Sequence, residues 1–193
     1  MADTDTDNGI QLVLEFITDE DKESIQGDLK DYENSRIIRL LRAVGSILTP
    51  EDLTKTRVVI TANFISSVSS RQAKTEQEYT MQRGSGLVIG KTMPPDKDGV
   101  VDMLFPLQFL LRQDVTIDMK ELESSIQHVA KHEAAHAHLY HLEIQPFDVY
   151  LREGFGHATQ IFTKMASDLA EEYLAEQISI SEDSTKNWTD AKS

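Results

Sequence analysis

The chain has 193 residues with a formal charge of −14, so a basic nucleic-acid surface and an anionic-membrane partner are both excluded as leading readings. It has no cysteine, which rules out disulfides and thiolate metal sites, so any metal must rest on His, Asp and Glu. No apolar run approaches the roughly 20 residues of a membrane helix, and the acidic N-terminus lacks the pattern of a secretory leader. A cytoplasmic protein is therefore expected.

Residues 1–10 read as a disordered acidic tail, residues 11–178 as a single domain, and residues 179–193 as a polar tail. Ser35 or Asn34 caps a helix over residues 36–44, whose apolar positions recur at helical spacing. Thr49, Pro50, Glu51 and Asp52 form a second helix start. The β-branched run at 57–65 predicts a strand, and two more are expected at 86–90 and 99–105, around the turn material Pro94-Pro95-Asp96. Asp118 and Glu121 make a capping-box pattern that opens a helix running to His141 or Leu142. After Pro146 a last long helix is expected over residues 148–178. Helices, a small and mostly antiparallel sheet, and two further helices make an α+β fold.

His132-Glu133-Ala134-Ala135-His136 falls well inside the predicted helix at 118–142. Four residues are slightly more than one turn, so both imidazoles leave one face and can share an ion. Glu133, one step round, can reach a water on that ion without being a ligand, which suits a general base. The same pattern also fits a helix with two partly buried histidines. A catalytic zinc needs a third protein ligand and an open position.

Downstream lies Tyr150-Leu151-Arg152-Glu153-Gly154-Phe155-Gly156-His157. His-Glu-x-x-His followed by Leu-x-Glu-Gly-Phe resembles the gluzincin metallopeptidases, particularly their zinc aminopeptidase branch. The resemblance covers residues 132–158. It implies a zincin-like fold, Zn2+ held by His132, His136 and Glu153, Glu133 as general base and acid, and a peptide or protein substrate. Arg152 stands where that branch has asparagine, and no Gly-x-Met-Glu-Asn segment lies upstream. The class is therefore implied and the aminopeptidase subclass is not. Metzincins require a glycine and a third histidine where this chain has Leu139 and Leu142.

Rival third ligands are Asp168, Glu171 and Glu172. The segment Ala170-Glu171-Glu172-Tyr173-Leu174-Ala175 is similar to the acidic helix of small bacterial peptidases akin to phage-repressor-cleaving proteases, although such acids also commonly solvate a helix face. His157 is a candidate catalytic residue, as oxyanion donor or ligand-orienting group, and fits a core role equally well. His128 reads as packing or support, and His138 and His141 as surface residues off the ligand face. Tyr140, Tyr150 and Tyr173 are the candidate active-site phenols. Arg36, Arg39 and Arg42 form a basic stripe best explained by local salt bridges. A zincin scaffold kept for regulation or interaction, without proteolysis, is the alternative function.

Overall fold

The computed structural model describes residues 9–72, 82–83, 86–87, 89–111, 119–143 and 157–180, with side chains not described at 82–83, 86–87, 119 and 157–164. Strand β1 (Gln11–Glu15) leads into α1 (Asp19–Lys30), α2 (Arg36–Gly45) and α3 (Pro50–Thr54). Strand β2 (Thr56–Thr61) and α4 (Phe64–Arg71) follow, then the short pair β3 (Gln82–Arg83) and β4 (Gly86–Leu87). Next come β5 (Lys91–Thr92), β6 (Val101–Pro106), α5 (Leu107–Leu110), α6 (Met119–His141) and α7 (His157–Ile180). The fold is α+β, as expected.

The sheet differs from the antiparallel expectation. Its order is β1-β2-β6-β5, with β1, β2 and β6 mutually parallel and only the edge strand β5 antiparallel. The reason is connectivity. Three helices separate β1 from β2, and α4 with further chain separates β2 from β6, so each return crosses the sheet before the next strand begins. β2 and β6 are buried on both faces. Val58, Ile60, Met103 and Phe105 pack beneath α2 and α6, while Val59 and Leu104 join Phe64, Val68 and Met93 on the opposite face.

The expected strand at 57–65 stops at Thr61. Asn63 Oδ1 accepts the backbone N–H of Ser66 at 3.1 Å and caps α4, which carries Phe64 into the second core face. Of the strand expected at 86–90, Gly86–Leu87 form β4 and residues 89–90 are not strand, with residue 88 outside the described residues; β5 follows in the main sheet. Gly99, at φ +76°, makes the turn before β6, where Asp96 Oδ1 accepts from the backbone of Asp98 and Val100.

β1 and α1 were not foreseen. α1 is closed at its start by a Thr18–Asp21 capping box. The capping boxes of α1 and α3 and the Ser35 cap of α2 satisfy backbone donors that would otherwise be orphaned. α6 begins by Met119, with Asp118 outside the described residues. α7 continues to Ile180, past the predicted end, because Ile178 and Ser179 are buried. Residues 148–156 of the predicted helix lie outside the described residues. No helix among the described residues is long and apolar enough to cross a membrane.

Candidate metal centre

α6 is set by its alanines. Ala130, Ala134, Ala135 and Ala137 are fully buried, so the helix lies close against its neighbours and turns His132 and His136 toward α7. His132 meets Glu176 and Glu172, while His136 meets Glu172 and Glu171. Contacts that rise along α6 fall along α7, so the two helices run antiparallel. On α7 the acids Asp168, Glu172 and Glu176 recur every fourth residue and share one face.

Three ligand atoms converge. His132 Nε2 and His136 Nε2 are 3.2 Å apart, and Glu172 Oε2 lies 3.3 Å from the first and 3.5 Å from the second. Tetrahedral ligands on bonds of about 2.0–2.1 Å stand roughly 3.3 Å from one another, so the donor set fits a zinc-sized ion. The outer nitrogens are held as well. Glu176 Oε2 lies 3.2 Å from His132 Nδ1, and Glu171 Oε1 lies 3.0 Å from His136 Nδ1. A carboxylate on the far nitrogen of each imidazole fixes ring orientation and presents Nε2 inward.

The electrostatics follow the same contacts. Hydrogen bonding with Glu172 raises His132 above the ordinary histidine range, against the pull of burial. Burial also works against His136, but bonds with Glu171 and Glu172 lift it to about 9. The two imidazoles hold the Glu172 carboxyl far below the usual carboxylate range, and His136 lowers Glu171.

Glu133 lies beside the triad and is buried. Thr92 Oγ1 stands 2.7 Å from its Oε2 and 2.8 Å from its backbone oxygen. These groups open on a cleft of about 1160 Å3, which runs from the triad past β5 to Arg57 and Arg71. At that far end Asp102 accepts from Arg57 Nε and Arg71 Nε, both at 2.5 Å, and Glu15 pairs with Arg71.

His132, Glu133 and His136 thus stand together as expected, and the rival candidate Glu172 completes the triad. Glu153 lies outside the described residues, as does Tyr150. His157 is the first residue of α7, fifteen positions or about 22 Å of helical rise before Glu172, and its side chain is not among those described. His128 is exposed, 3.8 Å from Glu176. Tyr140 lines the cleft, and burial and Glu171 push its hydroxyl pKa upward; Tyr173 is exposed.

His138 and His141 are half-buried rather than surface residues. They leave the ligand face, but toward α3 and β2, where His138 Nδ1 lies 2.8 Å from Asp52 Oδ2 and His141 Nε2 lies 2.9 Å from Thr56 Oγ1. The arginine stripe is engaged locally: Arg39 pairs with Glu123, Arg36 donates to the Leu110 carbonyl, and Arg42 covers the Tyr32 ring.

Glu176 and Thr92 were missed by sequence reasoning. Glu176 carries a faint signal, its four-residue spacing from Glu172, and Thr92 carries none. Comparison of the chain with protein-family models, with curated proteins and with solved structures finds no match.

Proposed function

We propose that this chain is a zinc-dependent hydrolase of peptide bonds, with a zincin-like site in which His132, His136 and Glu172 hold the ion and Glu133 is the general base. The single observation that supports this most is the set of ligand separations, 3.2, 3.3 and 3.5 Å, each imidazole being braced by its own carboxylate. Zinc, when bound, supplies a Lewis acid that acidifies water and polarises a carbonyl. Glu133 accepts the proton of the attacking water and delivers it to the departing amine nitrogen. Glu171 and Glu176 keep the two imidazoles aimed throughout.

The substrate we infer is an extended peptide. Among the described residues β5 is the last strand of its sheet, and it borders the cleft beside Glu133, so its outer edge offers backbone groups for pairing. β6 is flanked on both sides and has no such edge. We place the activity in the cytoplasm on the sequence reading alone.

Metal analysis of the purified chain tests the proposal, with His132→Ala, Glu172→Gln and Glu133→Gln alongside and a quenched fluorogenic peptide library as substrate. About one zinc per chain is expected, lost in the first two variants and retained in an inactive third. Retained zinc with a Glu133→Gln variant as active as the parent refutes the mechanism. Retained zinc with no cleavage by any form supports the interaction-scaffold reading instead.

A further inference from the structure

Glu133 makes no contact with the convergent ligand atoms that would fix its carboxylate, and a glutamate side chain has three rotatable bonds to lose before it can serve as a base. The immobilisation comes from the edge strand. Thr92 is 3% exposed, and its Oγ1 lies within hydrogen-bond distance of both Glu133 Oε2, at 2.7 Å, and the Glu133 backbone oxygen, at 2.8 Å. A hydroxyl has one proton, so it donates to one of these oxygens at a time, and neither acceptor requires the threonine to change rotamer.

Two residues earlier, Gly90 closes the other side. A Cβ built on Gly90 would sit 2.8 Å from Glu133 Cγ, 2.9 Å from Val129 Cγ1 and 3.1 Å from Glu133 Oε1. A side chain at Gly90 would therefore have to displace the glutamate stem or Val129. Gly90 has no left-handed backbone requirement here, so close approach is what the glycine provides.

We propose that Thr92 and Gly90 form a two-sided clamp that positions Glu133 for proton transfer. Thr92 is a positioning residue acting through Glu133, and the Gly90 backbone is the wall against which the side chain is pressed. This inference rests on the assignment of Glu133 as base. The clamp ties catalysis to the strand expected to pair with substrate, since Thr92 and Gly90 lie in and beside β5.

Zinc-loaded full-length protein is compared as parent, Thr92→Val, Thr92→Ser, Gly90→Ala and Glu133→Gln on the fluorogenic peptide library. Removing the hydroxyl in Thr92→Val is expected to lower kcat about tenfold or more, the order lost when a catalytic group is misplaced by a fraction of an ångström, with KM and zinc content unchanged. Thr92→Ser restores kcat to within about threefold of the parent, because the hydroxyl returns. Gly90→Ala reproduces the Thr92→Val loss by pushing Glu133 aside. In parallel, [13C]glutamate labelling identifies the Glu133 carboxyl resonance by its absence from Glu133→Gln. That resonance is expected to move in Thr92→Val and to return in Thr92→Ser. An active Glu133→Gln variant overturns the function itself. An inactive Glu133→Gln beside a Thr92→Val of parental kcat, or an unmoved Glu133 resonance in Thr92→Val, overturns the clamp alone. Should no peptide be cleaved by any form, the resonance decides.

Discussion

Glu171 Oε1 lies 3.0 Å from His136 Nδ1, on the far side of the ring from the ligand nitrogen. This carboxylate touches no ligand position, yet it decides where the imidazole points. Glu176 does the same for His132 at 3.2 Å. Metal affinity should therefore depend on residues that never meet the metal. Glu171→Gln and Glu176→Gln are each expected to weaken zinc binding by about 10- to 100-fold, the usual consequence of losing such a support. Competition titration against a chromophoric zinc chelator measures it. Parental affinity in both variants would show that the imidazoles need no bracing.

The pairing of two imidazoles with three carboxylates also sets a pH dependence. In chelator-stripped protein His136 titrates at about 9, against 6.5 for an ordinary histidine. The folded chain then holds a proton that the unfolded chain gives up earlier. The stabilisation is complete below pH 6.5 and vanishes as pH climbs through about 9, with a ceiling of about 3 kcal/mol. Zinc requires the neutral ring, so its affinity moves in the opposite direction. Tm in EDTA should fall across this window while the gain in Tm on adding zinc widens. A zinc-induced gain that stays level from pH 6.5 to 9 would contradict the shift.

How much of this was legible follows from the periods involved. His132 and His136 are separated by one helical turn, so any helix brings them together, and the sequence suffices. The third member of the candidate site depends on how α7 docks. Asp168, Glu171, Glu172 and Glu176 look the same on paper as a solvated face, and only the antiparallel packing of α6 against α7 picks out Glu172. The same limit hid the sheet's direction. Val58, Val59 and Ile60 are consecutive rather than alternating, which is the mark of a strand covered on both faces, and that pattern favoured parallel neighbours. β5 has two residues, too few for any periodicity to show. Thr92 could not be singled out for that reason. His138 and His141 leave the imidazole face as expected, but they do so on the side of α6 that packs against α3 and β2, which the helical period alone does not distinguish from a solvent face.

The Asp52–His138 contact ties the back of α6 to α3. Asp52 also accepts from the Thr49 backbone at 3.0 Å, as the returning half of the capping box. Burial opposes ionisation, but bonds with His138 and Thr49 prevail and hold the Asp52 carboxyl below its ordinary value. Its stabilisation is thus present above the unfolded value of 3.8 and lost as pH falls through the lower folded one. Asp52→Ala should cost about 2 kcal/mol at pH 7, combining a lost cap with an unpartnered histidine. Urea unfolding at pH 7 and at pH 3 checks the sign. The cost must shrink in acid, and an equal cost at both would remove the ionic part of the argument.

Asp102 joins two arginines at the opposite end of the cleft. Its side chain is 5% exposed and it accepts from both Arg57 and Arg71, the two being 31% and 20% exposed. Glu15 shares Arg71, and Ser67 bridges Glu15 to Thr61 through its hydroxyl. The network joins β1, β2, β6 and α4 on the sheet face away from α6. Replacing Asp102 with alanine removes the anion between two half-buried guanidinium groups, leaving Arg71 with Glu15 and Arg57 with the more exposed Asp96. Removal of one member of a buried ion pair costs about 3–5 kcal/mol, and partial exposure of the arginines places this case at the lower end. Asp102→Ala should lower stability by about 3 kcal/mol, whereas Asp102→Asn, which keeps two acceptor lone pairs, should lose less. Zinc binding should survive in both variants, because the triad rests on α6 and α7. Loss of zinc from a still-folded Asp102→Ala protein would mean that the two ends of the cleft are coupled through the sheet.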